Sequence, residues 1–463
     1  MPPTIFISAG EASGEHYGAL LAASLSHSFP PKPETAELWG MGGPRMAAAG
    51  VDCIVRAEDM AVMGLTEVVL HLPRIYREFR KLKRAIRARR PTVAILIDFP
   101  EINFRLAKEF HRLGIPVIYF VSPQLWAWKQ HRIRLVREYV RRMLVIFPFE
   151  ESYYRARGVD AEFVGHPLAD LPQPSTTREQ FAAENSLDPA RIWIGLLPGS
   201  RLREIEDHLP EMLAAARALA SPMPDPTSSS PSVPSPAASP AHPAPPYDFL
   251  IPLAPTLDAA QRAKVQRIVD DHGSNLSIRL IGDSGAEGAV SPTAGRGPHG
   301  QVFVRGVEGD ARAALLHARA SVVASGTATV EAALIGNPFV VVYRVSPLTY
   351  AIARRMVKVP HVAMANLIAG KPVVPELIQH DFTATNIVQH LSPLLPDGPV
   401  RESMMMELEA IREALHVQAV DQPSQTEAAQ SAIERVAAIV VKEVESLSPA
   451  PAPTVEPSQA ASR

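Results

Sequence analysis

The sequence predicts an α/β protein made of two domains, each a parallel sheet covered by helices. Three observations predict it. Short apolar runs alternate with helical patterns along nearly the whole chain. Those runs are apolar at every position rather than at alternate ones, the mark of strands buried on both faces. They also form two series separated by a polar stretch, and 463 residues suffice for two cores.

The first series opens with TIFIS (4–8), followed by the helical pattern HYGALLAASL (16–25). GVDCIV reads as a short buried strand, which makes its Cys53 a structural residue rather than a nucleophile. It is the sole cysteine, so a disulfide framework and a Cys-based zinc site are excluded. MAVMGLTEVVLHL (60–72) is apolar, and a basic helix follows over 74–90. Strands VAILID (93–98), VIYFVS (117–122) and MLVIF (143–147) complete a first domain over 1–170. A linker is expected over 171–190.

The second domain, 191–400, contains strands IWIGLLP (192–198), FLIPLA (249–254), LSIRLIG (276–282), VFVRG (302–306), SVVAS (321–325) and FVVVYRV (339–345). Helices are expected over 203–220, 258–272 and 310–318. Two similar halves with a cleft between them is the expected architecture. Residues 221–246 are Pro/Ser/Ala-rich and too poor in apolar groups to fold, so a disordered insertion is expected there. A loose Gly-rich loop is expected over 283–300, amphipathic helices within 401–446, and a disordered tail over 447–463.

A net charge of −2 argues against a general nucleic-acid binder. The N-terminus lacks a basic segment before its short apolar run and reads as a first strand, not a signal peptide. No run approaches the roughly 20 apolar residues needed to span a bilayer. A cytoplasmic location follows as the expectation.

Several turns after strands are candidate sites. Ser325, Gly326 and Thr327 end a strand and start a helix, where backbone N–H groups favour a diphosphate. Glu331 lies one turn deeper on the same face, placed to accept both hydroxyls of a ribose. Diphosphate plus ribose describes a nucleotide-sugar donor, although a Thr-capped helix with an incidental Glu has the same pattern. PGSR repeats the arrangement: Gly199 and Ser200 in the turn, Arg201 as a bidentate phosphate ligand or as a surface partner of Glu204 or Glu206. Asp98 ends a strand, where ligands bind in open α/β sheets, and is either a general base or a cap of the next turn. SAGEASGE supplies a first βα turn with Gly10, Glu11, Ser13, Gly14 and Glu15, lacking the G-x-G-x-x-G spacing. SPQLWAW (122–128) offers two Trp for sugar stacking or a packed corner. His166 and His208 show no paired metal spacing, and no Asp-x-Asp occurs, so neither a metal nor a cofactor is expected.

Between 74 and 90 nine cations face Glu78 alone. With Met60, Val62, Met63, Leu65, Val69 and Leu72 as apolar area and Arg77, Lys81 and Arg84 as cations, this strip suits an anionic lipid surface. A core helix followed by a solvated basic helix has the same composition.

Taken together, GEASGE (10–15), GGPRM (42–46), MAVMGLTEV (60–68), Asp98, YFVSPQLWAW (119–128), FPFE (147–150), FVGHPLAD (163–170), LLPGSR (196–201), SGTATVEAAL (325–334), YRVSPLTY (343–350) and ANLIAGKPVVPELIQ (365–379) resemble the lipid-A-disaccharide synthase family, in family order. The resemblance implies a GT-B fold and an inverting, metal-independent transfer. The donor is UDP-2,3-diacylglucosamine and the acceptor 2,3-diacylglucosamine 1-phosphate. The products are UDP and a β-1,6-linked tetra-acyl disaccharide 1-phosphate. It implies that Asp98 matches a carboxylate needed for activity, Arg201 a functional arginine, and Asn366 a polar residue of the donor site. Glu15 and Glu101 stand where the family usually has Asp. A peripheral location on the inner face of the inner membrane follows from the resemblance, and a homodimer stays open.

Overall fold

The computed structural model describes residues 2–29, 36–60, 65–220, 247–274, 276, 278–281, 303–304, 311–357, 359–417 and 430–447. The expectations for 221–246, 283–300 and 448–463 lie outside them. The chain divides into two compact units, Met1–Asp170 with His416–Arg463, and Leu171–Leu415.

In the first unit, seven strands form one sheet: β1 (Thr4–Ala9), β2 (Glu37–Gly42), β3 (Asp52–Arg56), β4 (Val93–Ile97), β5 (Val117–Phe120), β6 (Arg142–Val145) and β7 (Ala161–Phe163). Their order is β3-β2-β1-β4-β5-β6-β7, and every pairing is parallel. All of β4 is buried, as its unbroken apolar run requires. Helix Pro100–Arg112 presses Phe104, Leu106, Ala107 and Phe110 into the core. Each of the Phe and Leu side chains, once buried, contributes roughly 1.5–3 kcal/mol. Helix Ala12–Ser28 buries Tyr17, Leu21, Ala22 and Leu25. The C-terminal helix Ala432–Leu447 packs on that helix through this first unit. Its first N–H group donates to Asp170 Oδ2 at 2.6 Å.

The apolar stretch and the basic helix expected as two elements are one helix, Leu65–Arg89, running through Pro73. Leu82 and Ile86 are buried at its core face, with Ile75 and Phe79 beside them. Among the described residues no helix is long and apolar enough to cross a membrane.

The second unit repeats the plan with β8 (Ile192–Leu197), β9 (Tyr247–Pro252), β10 (Ile278–Ile281), β11 (Phe303–Val304), β12 (Ala320–Ala324), β13 (Phe339–Tyr343) and β14 (Glu376–Ile378). The order is β11-β10-β9-β8-β12-β13-β14, again all parallel. The stretch expected as a linker carries helix Arg178–Glu184, started by a reciprocal Thr177–Gln180 capping box.

Strand order matters for function. In an open parallel sheet the chain winds outward in both directions from one strand, and the loops at that switch point part to leave a crevice. In the first sheet it lies between β1 and β4, in the second between β8 and β12.

Candidate functional site

The two strands at each switch point end in the turns singled out from sequence. After β1 comes Gly10–Glu15, and after β4 comes Asp98. After β8 comes Pro198–Arg201, and after β12 Ser325–Thr327.

Asp98 stands one residue past its strand with φ 45°, and Phe99 follows with φ 46°. Two successive non-glycine residues in the left-handed region are strained, which is a feature of functional turns. The Phe99 ring lies against Gly10, where a Cβ would come within 2.1 Å of it, so residue 10 must be glycine for the turns to meet. Burial pushes the Asp98 carboxyl from 3.8 to about 7, Glu11 adds to the rise, and the Phe99 backbone N–H opposes it. An Asp that is half protonated near neutral pH is suited to exchange a proton with a hydroxyl.

Not every residue of the first turn faces a ligand. Ser13 is exposed and Gly14 buried. Glu15 is buried, and its Oε1 accepts the N–H groups of Arg45 (2.7 Å) and Met46 (3.1 Å), capping helix Pro44–Ala48. Glu101 pairs bidentately with Arg132, both contacts 3.0 Å, and with Lys129 at 2.9 Å. The Arg132 hydrogen bond foremost holds its carboxyl down at about 2. Glu150 accepts from Ser122 (2.6 Å) and Trp126 (2.9 Å), anchoring the loop in which Trp126 is buried while Trp128 stays 41% exposed. Burial raises the Cys53 thiol to about 11, consistent with an inert structural cysteine.

In the second unit, Gly199 has φ 125°, and a Cβ there would lie 2.5 Å from Glu204 Oε2. Glu204 accepts the N–H groups of Ser200 (3.2 Å) and Arg201 (3.3 Å) and pairs with the Arg201 guanidinium at 3.1 Å. The helix start and its cation are thus gathered around one carboxylate, the grouping that a diphosphate would need. His208, set aside in the sequence for want of a metal partner, holds this turn in place. It is fully buried, its Nε2 accepts the Arg344 N–H at 3.0 Å, and its Nδ1 lies 2.7 Å from Pro198 O.

Ser325 differs from expectation in one respect. Its N–H is not free but donates to Val342 O at 3.0 Å, because the strand pairing extends one residue further. Gly326 and Thr327 are exposed at the helix start, and their N–H groups carry no hydrogen bond among the described residues. Glu331 accepts none either among the described residues; burial raises its carboxyl, and the charge of Arg312 opposes that. Asn366 is buried and fully engaged. Its Nδ2 donates to Val374 O (2.9 Å) and Glu376 Oε1 (2.7 Å), and its Oδ1 accepts from Val373 and Val374.

The strip expected to face lipid needs correction at Met60, which is 3% exposed and packed in the core of the first unit. Val62 and Met63 lie outside the described residues; Leu65, Val69 and Leu72 lie on the helix. The cations are also less alone than the sequence implies. Arg74 pairs with Asp59, Arg77 with Glu78, Lys83 and Arg87 with buried Glu109, and Arg89 with Asp52. Lys81 donates to Ile54 O at 2.7 Å. Arg80 and Arg84 are exposed and without a carboxylate partner among the described residues.

Comparison with known proteins sets these sites in context. The family model described as lipid-A-disaccharide synthetase matches residues 5–239 and 299–431. A curated lipid-A-disaccharide synthase of Acidobacterium capsulatum is 54% identical over 89% of this chain and 92% of its own length. That of Koribacter versatilis is 44% identical over 93% and 97%. Among solved structures, the calicheamicin glycosyltransferase CalG4 superposes with TM-score 0.53 at 16% identity, covering 97% of this chain and all of its own. MurG of Acinetobacter baumannii gives 0.50 at 14%, covering 95% and 100%. UDP-GlcNAc 2-epimerase of Neisseria meningitidis, bound to UDP-GlcNAc, gives 0.51 at 12%, covering 96% and 99%. At such identities these likenesses speak to the fold alone, which is that of the GT-B glycosyltransferases.

Proposed function

The chain belongs to the lipid-A-disaccharide synthetase family, and from that premise we propose how its two switch-point sites perform the transfer. It is a glycosyltransferase of lipid A biosynthesis, acting on a UDP-sugar donor and a lipid acceptor. In the finer reading the donor is UDP-2,3-diacylglucosamine and the acceptor 2,3-diacylglucosamine 1-phosphate. Asp98 removes the proton from the acceptor 6-hydroxyl as that oxygen attacks the anomeric carbon. The C1–O bond to UDP breaks on the opposite face, so configuration inverts and a β-1,6 link forms. Charge accumulates on the departing diphosphate. Arg201 and the N–H groups at Gly326 and Thr327 stabilise it, and Glu331 takes the ribose hydroxyls. Glu204 now holds Arg201, and a diphosphate bearing more negative charge competes for the same cation.

The observation that carries this reading is the coincidence of all four candidate turns with the carboxyl ends of the strands flanking the two switch points. A UDP-sugar 2-epimerase shares the fold but makes no disaccharide. Incubating the purified protein with both acylated substrates and weighing the product by mass spectrometry separates the two. A tetra-acyl disaccharide 1-phosphate supports the transfer, and an epimerised UDP-sugar alone rejects it.

Docking to an anionic lipid surface through the exposed side of helix Leu65–Arg89 completes the proposal. Tyr76, 63% exposed, and Arg80 and Arg84, which have no carboxylate partner among the described residues, recur every four residues and so share one side of the helix, with the Arg80 guanidinium 5.7 Å from the Tyr76 ring centre. An aromatic beside two cations meets the need for two weak membrane signals acting together.

A further inference from the structure

Beneath Asp98 lies a buried polar cluster that the proposed chemistry does not use. Ser8, Asn103 and Tyr119 are each 0% exposed, in a core otherwise built of Phe6, Leu96, Leu106 and Phe110. Polar groups in such a place cost stability unless they are hydrogen-bonded, and apolar residues would fill the space at least as well. Their bonds converge on one short stretch of backbone. The Asp98 carbonyl accepts from Tyr119 Oη at 2.6 Å and from Asn103 Nδ2 at 2.7 Å. Asn103 Nδ2 also donates to Ile97 O at 3.1 Å. Since both those partners are carbonyls, the amide nitrogen must face them, and Asn103 Oδ1 is left to accept the Ser8 hydroxyl at 2.7 Å. The Asp98 N–H is taken by Phe120 O at 3.0 Å.

The stretch they grip is the strained one, where Asp98 and Phe99 both have positive φ. Left-handed backbone is unfavourable for a non-glycine residue, because its Cβ crowds the following carbonyl oxygen. Phe99 also precedes Pro100, which favours extended backbone at residue 99, so the left-handed turn depends on outside support.

We propose that Tyr119 and Asn103, with Ser8 orienting Asn103, are positioning residues that hold the Asp98–Phe99 turn in its left-handed form and so set the direction of the Asp98 carboxylate. This rests on the reading of Asp98 as the base. Tyr119 is suited to the task because burial raises its hydroxyl well above the ordinary 10.0, so it donates throughout the working pH range.

The test is Tyr119→Phe, made alone and together with Asp98→Asn, and assayed with both substrates. Tyr119→Phe alone is expected to lower kcat on the order of 10-fold, with KM for donor and acceptor within twofold, because it misaligns a reacting group without touching binding. Added to Asp98→Asn it is expected to change the residual rate by less than twofold, since the cluster acts only through Asp98. A further 10-fold loss in the double variant would make the hydroxyl a general fold element and overturn the proposal. Wild-type kcat in Tyr119→Phe, with Asp98→Asn at least 100-fold slower, would overturn it while leaving the base reading intact. Wild-type turnover in Asp98→Asn would overturn both. Should Tyr119→Phe fail to fold, Ser8→Ala serves in its place: a kcat loss confined to the Asp98 background supports the proposal, and an unchanged kcat rejects it.

Discussion

If Asp98 is the base, one carboxylate should control both catalysis and stability, in opposite directions with pH. Its proton is held to about 7 in the folded chain against 3.8 ordinarily. With each pKa unit worth 1.36 kcal/mol, ionising it in place costs on the order of 4 kcal/mol. The folded state binds this proton more tightly than the unfolded state does. Stability from this group is therefore fully present below pH 4, falls as pH rises, and is lost above about 7. Activity runs the other way, because only the carboxylate accepts a proton. The logarithm of kcat/KM should rise with unit slope and level off near pH 7. Asp98→Asn should remove that limb and lower turnover at least ~100-fold, the low end for a general base. The same substitution should stabilise the protein, by up to a few kcal/mol at pH 8 and by clearly less at pH 5, read from denaturation midpoints. Glu11→Gln should move the limb to lower pH, since the Glu11 charge contributes to the rise. A limb centred near pH 4, or an Asn variant that turns over within a few-fold of wild type, would refute the reasoning.

Three further outcomes are expected. Glu331→Ala should weaken UDP binding by about 1.5–3 kcal/mol through loss of charge-assisted hydrogen bonds to the ribose, as calorimetry can measure; unchanged affinity would move the nucleotide elsewhere. From the lack of an Asp-x-Asp clamp in the sequence, activity should persist in EDTA, and abolition with rescue by magnesium would contradict the metal-free transfer. Arg80→Glu with Arg84→Glu should release the protein from anionic vesicles in sedimentation, high salt should weaken wild-type binding, and catalysis on detergent-dispersed substrate should survive; co-sedimentation equal to wild type would leave this helix a solvated one.

The sequence was sufficient for features that depend on neighbours along the chain. Fully apolar runs identify strands buried on both faces, and β4, β5 and β8 were readable from them because burial in a parallel sheet demands that composition. The turns that follow were readable for the same reason: glycine and a polar residue between a strand and a helix mark the loop where a ligand can sit. The third strand, read from GVDCIV as buried, is in fact half exposed with only Val55 buried, and β7 is three residues long and carries little of that signal.

What only the tertiary structure decided are the pairings between distant residues. Strand order brings β1 beside β4 and β8 beside β12, and no local pattern encodes that order. It makes Glu15 a cap for a helix 30 positions away and commits buried Glu109 to Lys83 and Arg87, so of a run that reads as nine cations against one acid, five are held in ion pairs among the described residues. It buries Met60 and sets Tyr119, 21 positions on in sequence, against the Asp98 carbonyl. Residue type fixes which hydrogen bonds and charges a side chain can offer. Whether they are spent inside the fold or left for a substrate depends on who the neighbours are, and packing alone supplies them.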